Sequence, residues 1–282
     1  MFFGPAAALA AAMAWTTASA LWRSLSRFGT AIELNGLKNG LALLFFLPVL
    51  ISLPWADHRF GVVELLLSGL IGIAAGDSFY LGGLRRLGTQ RALTVEAIGP
   101  VLASVGGILM MGDTVQPAAW AGAIMVSCSV VLVAQQSTSS ANNDTAIGVL
   151  FGLLAVICGL CGAFLARHVL ITSDLTPIQT ASVRLLGGWL GLLPLLRGQF
   201  RPTNVPIGVM PKVILATLLG TNLGIVCQQV VFQILPVGQG VTLMSTAPVM
   251  ALCLHRLEGE SLQWQGVVAG LLAVSGVALS SL

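Results

Sequence analysis

Four ionisable side chains lie inside stretches of this sequence that are otherwise apolar: the carboxylates Asp77 and Glu96 and the cations Lys38 and Arg184. A charge within a membrane span is costly, so each of them indicates a functional site unless a partner neutralises it. A carboxylate can bind and release a proton, and a cation can hold a carboxylate of a solute. These four residues are the first candidates for a site that binds protons or a charged ligand.

Glu96 comes one helical turn before Pro100 in the sequence. An ionised carboxylate in a low-dielectric environment needs a cation beside it. Two interpretations of Glu96 stay open. It is either a proton-binding group for coupled transport or one half of a structural ion pair with Arg86 or Arg91.

Asp77 lies deeper in its apolar stretch, between Gly76 and Ser78. Proton coupling or cation recognition is one interpretation, and pairing with an arginine or a helix end is the other. Lys38 and Arg184 each lie about two turns from a predicted helix end, within reach of the membrane surface. We therefore favour a structural role for these two cations over pairing with Glu96 or Asp77 or binding a solute carboxylate.

Uncharged polar and aromatic side chains add to these candidates. Gln228 and Gln229 belong to a polar stripe in one apolar stretch, which predicts contact with a solute or with a neighbouring helix. Tyr80 and Trp15 are expected to line the same cavity.

The composition is that of a membrane protein. Hydrophobic residues make up 56% of the chain and charged residues 8%, whereas soluble domains carry about 25% charged residues. Helical spans of about 17–25 apolar residues cross a bilayer. Ten such stretches lie near residues 2–22, 32–54, 61–84, 91–111, 117–134, 146–169, 178–197, 211–234, 239–257 and 263–281. The sequence predicts an all-α integral membrane protein of ten transmembrane helices without a soluble catalytic domain.

The second half of the chain repeats the first at a constant offset of 148 residues. Leu67, Leu70, Gly72, Gly76, Leu87, Thr94, Pro100, Val101 and Ala103 fall on identical residues at this offset. The predicted units are residues 1–136, a polar linker at 137–145 and residues 146–282. Because each unit holds five spans, an odd number, the two repeats must be inverted relative to each other, as in secondary transporters.

Small residues and prolines recur at matched positions of the two repeats. Gly72 and Gly76, like Gly220 and Gly224, predict close helix packing. Pro100 and Pro248 predict matched kinks that free backbone carbonyls. We favour a cavity at these interruptions over simple packing because they occur in both halves.

Both halves carry a proline followed by an apolar run and then a glycine–acid turn. The first reads Ala97-Ile-Gly-Pro100 and then Met111-Gly-Asp113, and the second Thr246-Ala-Pro248 and then Glu258-Gly-Glu260. This pattern resembles the drug/metabolite transporter superfamily, in particular its ten-helix EamA-type permeases. The resemblance implies an alternating-access transporter for amino acids, drugs or other small metabolites in the inner (plasma) membrane.

Basic residues are unevenly distributed between the predicted connections. Nine lie on one side of the membrane and two on the other, which predicts that both termini lie outside the cytoplasm. The superfamily resemblance implies cytoplasmic termini instead.

Other functional classes are disfavoured by the motifs that the sequence lacks. It has no Gly-x-x-x-x-Gly-Lys-[Ser/Thr] loop for ATP and no cluster with metal-ligand spacing, and the net charge of +3 does not indicate nucleic acid. We therefore expect no cofactor and no enzymatic activity. The expected partners are a small-molecule solute and the lipid bilayer, with a homodimer left open. A membrane scaffold or receptor remains the alternative, with an intramembrane enzyme behind it.

Overall fold

The computed structural model describes residues 3–25, 28–29, 31–80, 82–83, 86, 95–134, 145–196, 205–246, 250 and 264–280. Within these ranges the regular elements are all helical. They are α1 (Phe3–Leu25), α2 (Ala31–Ser52), α3 (Arg59–Tyr80), α4 (Gly99–Met111), α5 (Pro117–Ala134), α6 (Thr145–Thr172), α7 (Pro177–Leu196), α8 (Ile207–Ile234), α9 (Val237–Met244) and α10 (Trp264–Ser280). The predicted linker at 137–145 lies outside the described residues except for Thr145.

Proline and glycine set several helix ends. α5 and α7 begin at Pro117 and Pro177, where the missing N–H would have had no helical acceptor. α4 ends at Met111 and is followed by Gly112, whose φ of 66° places it in the left-handed region. Glycine reaches this conformation without a Cβ penalty and is the common residue just after a helix.

The outer surfaces of the helices are apolar. α2, α3, α6 and α8 contain segments that are long and apolar enough to cross a membrane, and α4, α5 and α10 contain shorter apolar segments. Ile51, Leu109 and Val274 are each at least 70% exposed. Such side chains are costly in water and are at no disadvantage against lipid tails, which are equally apolar. The protein is therefore a membrane protein with several apolar helices.

The principal helix contacts join the two halves of the chain. α3 packs against α6 and α7, while its counterpart α8 packs against α1 and α2. The matched helices α2 and α7, α4 and α9, and α5 and α10 also pack on each other. The two halves thus interdigitate, so that a site between them draws on helices from both.

The largest apolar core lies among α1, α4, α6, α8 and α9. It includes Phe164 and Phe232, both nearly or fully buried, with alanines of α1 beside them. Smaller cores lie where α3 meets α6 and α7 and where α2 meets α7. The polar residues described next lie between these apolar contacts.

Candidate functional site

α3 and α8 each contain a short π-helix, in which the backbone hydrogen bonds run from residue i to i+5. The two segments are Leu70–Ala75 and Leu218–Leu223, and they are related by the same offset of 148 residues as the sequence repeat. A π-segment adds a residue to one turn and rotates the side chains that follow, and such segments are frequent at functional sites. In this protein they precede Asp77 in α3 and Gln228 in α8.

The matched glycines lie where these two helices contact the opposite half. A Cβ on Gly72 would lie 3.4 Å from the Cα of Gly162 in α6, and one on Gly76 would lie 3.6 Å from the Cβ of Cys158. A Cβ on Gly220 would overlap with Ala18 of α1, and Gly224 faces Trp15 of the same helix. Gly220 and Gly224 therefore allow the close approach of α8 and α1, which is the packing role of small residues in membrane helices. At Gly72 and Gly76 a Cβ would fit at ordinary contact distances.

Lys38 of α2 and Asp77 of α3 form an ion pair. The Lys38 Nζ lies 3.5 Å from the Asp77 Oδ2. The Lys38 side chain is 24% exposed and the Asp77 side chain 40% exposed. The ion pair is therefore partly accessible, whereas the sequence interpretation favoured a lysine that reaches the membrane surface.

Arg184 of α7 lies deeper than this ion pair, with 4% of its surface exposed. Its Nη1 donates to the Oε1 of Gln228 in α8 at 3.3 Å, and the Nε2 of Gln229 donates to the same oxygen at 3.4 Å. The charge of Arg184 also interacts with that of Asp77. Gln228 thus positions Arg184 beside the Lys38–Asp77 pair.

Two buried hydrogen-bonding groups at this position lack a protein partner. They are the Nε of Arg184 and the Oε1 of Gln229. Buried polar groups in native proteins are nearly always satisfied. A donor and an acceptor left open beside each other are suited to a polar solute or to water.

Glu96 and Tyr80 complete the arrangement. Asp77 lies close enough to Glu96 for the two carboxylates to interact electrostatically, and both carboxylates also interact electrostatically with the Tyr80 hydroxyl. In the part of the chain that the structure describes, no cation pairs with Glu96. Arg86 instead donates to the Gly82 carbonyl and lies 4.8 Å from the centre of the Phe151 ring, and Arg91 lies outside the described residues.

The helix is interrupted between Glu96 and Pro100. Val95 and Glu96 are helical, a turn covers residues 97–98, and α4 begins at Gly99. Pro100 therefore occupies the first turn of α4, where its missing N–H is tolerated, and the mid-helix kink predicted from the sequence is replaced by this break. Pro248 lies outside the described residues.

Trp15 packs against α8 rather than lying beside these charges. Its indole Nε1 donates to the Gly220 carbonyl at 3.0 Å, and its ring joins the apolar core with Phe164 and Phe232. Its described contacts are those of a residue that fixes α1 to α8.

The charged cluster is defined here as Lys38, Asp77, Glu96, Arg184 and Gln228. Its members come from α2, α3, the segment before α4, α7 and α8, and so from both halves of the chain. Two cations and two carboxylates in one place can hold a solute that carries both signs of charge. The described residues contain no group of three or more His, Cys, Asp or Glu side chains that could hold a metal ion.

Sequence analysis missed two buried asparagines of α2. Asn35 and Asn39 lie four residues apart, and the Asn39 Nδ2 donates to the Asn35 Oδ1 at 3.4 Å. Two amides at helical spacing in an apolar stretch could have indicated a polar face.

Comparisons with known proteins identify the family and a similar fold. The profile of the EamA-like transporter family matches residues 2–135 and, a second time, residues 146–282. No curated protein matches the chain. One solved structure, described only as the crystal structure of a protein, is similar to this chain with a TM-score of 0.78 and 16% sequence identity. The alignment covers 99% of this chain and 96% of the chain in that structure. At that identity the likeness concerns the fold alone.

Proposed function

The chain belongs to the EamA-like transporter family, and from this membership we propose that it moves a small metabolite across the inner membrane by alternating access. The family consists of membrane transporters of the drug/metabolite type. Our proposal adds the mechanism, the location of the site and the coupling, and it includes that α1–α10 all cross the bilayer as two inverted sets of five.

The main support for the proposal is that both halves of the chain contribute residues to the charged cluster. Lys38 and Asp77 come from α2 and α3 of the first half, and Arg184 and Gln228 come from the matched helices α7 and α8 of the second. In transporters built from inverted repeats, solute sites lie at the interface of the repeats. When the halves rock against each other, such a site opens to one side of the membrane and then to the other.

The chemistry of the cluster favours a charged or zwitterionic solute, such as an amino acid or a related metabolite. Arg184 is a rigid, always-charged donor suited to a carboxylate, and Gln228 holds it in place. Asp77 and Glu96 supply the opposite charge for an ammonium group. A solute of this kind would satisfy the open donor on Arg184 and the open acceptor on Gln229.

We further propose that the transport is coupled to protons through Asp77 or Glu96. Glu96 has no cationic partner among the described residues, and the side chain of Asp77 is partly exposed. When a carboxylate takes up a proton, the neighbouring Lys38 or Arg184 becomes available to a solute. Protonation and solute binding would then alternate at one place.

The first test is comparative metabolomics of the medium around bacteria that express the protein. The variants are Glu96→Gln, Asp77→Asn and Arg184→Gln at matched membrane abundance. Glu64→Gln is the control, since Glu64 pairs with the exposed His168 at 2.8 Å and lies outside the cluster. We expect one metabolite to accumulate outside with the wild type and the control but not with the three variants.

The same variants in proteoliposomes then test the coupling. Flux of the identified solute should follow an imposed pH gradient in the wild type. If flux ignores the gradient and survives neutralisation of both carboxylates, proton coupling is wrong. If no solute distinguishes wild type from empty vector in either direction of transport, the scaffold or receptor alternative gains over the transporter.

A further inference from the structure

A second group of buried polar side chains lies between α2 and α8, on residues that the proposed function does not use. We call Asn35, Asn39, Thr217 and Asn222 the polar quartet. All four are less than 10% exposed, and Asn39 and Thr217 are fully buried. The matched positions on α7 and α3 carry small or apolar residues: Ala181, Leu185, Gly69 and Ala74. At these four positions, polar side chains therefore occur in only one of the two repeats.

One hydrogen bond sets the register of α2 against α8. The Asn222 Nδ2 donates to the Ala42 carbonyl at 3.0 Å. Asn39 precedes Ala42 by three residues and therefore lies on the same face of α2. Thr217 precedes Asn222 by five residues, and the intervening segment is the π-helix Leu218–Leu223. Residues i and i+5 are joined by a backbone hydrogen bond in a π-helix and lie close together, so Thr217 lies near Asn222 on the side of α8 that meets α2.

Three oxygens of the quartet have no hydrogen-bonding partner. They are the Oδ1 atoms of Asn39 and Asn222 and the Oγ1 of Thr217, all inaccessible to solvent. The amide nitrogens of the two asparagines, in contrast, both donate. Unsatisfied buried acceptors are rare in native proteins and destabilising. Three of them on one helix interface point to a ligand that interacts with oxygen.

We infer that the polar quartet binds a small monovalent cation, with Na⁺ as the probe. Its three unpartnered buried atoms are all oxygens, which are the ligands of hard cations. Backbone carbonyls at irregular helix segments coordinate Na⁺ in other transporters. The quartet contains no carboxylate, which argues against a divalent ion. Lys38, the residue directly before Asn39 in α2, is already paired with Asp77.

A cation at this interface would join α2 of the first half to α8 of the second. Its binding would favour the arrangement of the halves seen here over one in which α2 and α8 separate. The inference concerns binding alone, so it holds or fails independently of which solute is moved and of proton coupling.

The test measures the melting midpoint of the purified protein in NaCl and in choline chloride at equal ionic strength. A ligand that binds only the folded state raises the midpoint in a saturable way. Asn39→Leu places the matched residue of α7 in α2, and Thr217→Val keeps the shape of threonine without its hydroxyl. Thr180→Val is the matched control, because Thr180 of α7 is also fully buried with an unpartnered Oγ1 and lies outside the quartet.

We expect the wild type and Thr180→Val to melt at a higher temperature in NaCl than in choline chloride. Asn39→Leu and Thr217→Val should melt at the same temperature in both salts, while remaining folded. Equal midpoints of the wild type in the two salts would overturn the site and leave buried water as the occupant of the quartet. A Na⁺ response that persists in both quartet variants would also overturn it, because the ion would then bind elsewhere.

Discussion

Removing either charge of the Lys38–Asp77 pair should destabilise the protein by an amount that its geometry sets. At the observed separation of 3.5 Å, Coulomb's law gives about 5 kcal/mol at an effective dielectric constant of about 20 and about 1 kcal/mol in water. The exposure of 24% for Lys38 and 40% for Asp77 brings water close to the pair and lowers the value towards that of surface pairs. We therefore expect a coupling energy of roughly 1–2 kcal/mol.

A double-mutant cycle measures this coupling. Lys38→Met, Asp77→Asn and the double variant are compared with the wild type in their free energies of unfolding, as in other cycles between contacting residues. Arg184 still acts on Asp77 when Lys38 is absent, so the single variant Lys38→Met should lose less than the cost of an isolated buried carboxylate. A coupling energy below about 0.3 kcal/mol, the usual error of additivity, would refute the ion pair.

Exchanging the two charges separates structure from transport. Lys38→Asp combined with Asp77→Lys restores an attractive pair and should recover most of the unfolding free energy. It should leave solute flux low, because the carboxylate now lies on α2 instead of α3. Recovery of full, pH-gradient-driven flux in the exchanged variant would contradict a specific role of Asp77 in proton coupling.

Three further predictions concern helix contacts, and each is checked by the melting midpoint. Gly69→Ala forces a Cβ against the α7 backbone and should lower the free energy of unfolding by about 1–3 kcal/mol. In the control Gly159→Ala the added Cβ has open space around it, so stability should change by less than about 0.5 kcal/mol. Equal midpoints of the two variants would contradict the close approach of α3 and α7. Arg167→Gln removes the guanidinium that donates to carbonyls at the end of α8 and should cost about 1–3 kcal/mol, with Arg167→Lys less harmful. Trp15→Phe removes the bond to the Gly220 carbonyl and should cost about 1 kcal/mol; an unchanged midpoint would show that this bond does not secure α1 to α8.

The repeat could be predicted from the sequence because it rests on identities at a fixed offset, and the family profile matches the chain twice. The π-helices could not, although they lie at matched positions. Hydrophobic periodicity specifies which residues face lipid, but it does not specify a single added residue in one turn.

The pairing within the charged cluster could not be predicted from the sequence either. Lys38, Asp77, Glu96 and Arg184 were recognisable as costly charges, but several pairings were compatible with their positions along the chain. The choice between them depends on the packing of α2 against α7 and of α3 against α7. In the same way, the hydrogen bond between Gln228 and Arg184 could not be expected from positions that lie 44 residues apart.

The internal repeat provides a comparison within the chain, and it separates residues that pack from residues that carry polarity. The matched glycines of α3 and α8 are the same in both halves, but a Cβ would fit at Gly72 and Gly76 and would overlap with α1 at Gly220 and Gly224. Asp77 has Ile225 at its matched position, and Tyr80 has Gln228. A symmetric scaffold thus holds an asymmetric site, which suits a solute that has no symmetry of its own. Variants should therefore change the solute that is moved when they alter positions where the repeats differ in polarity, or the matched cations Lys38 and Arg184. Variants of the matched glycines should change only stability.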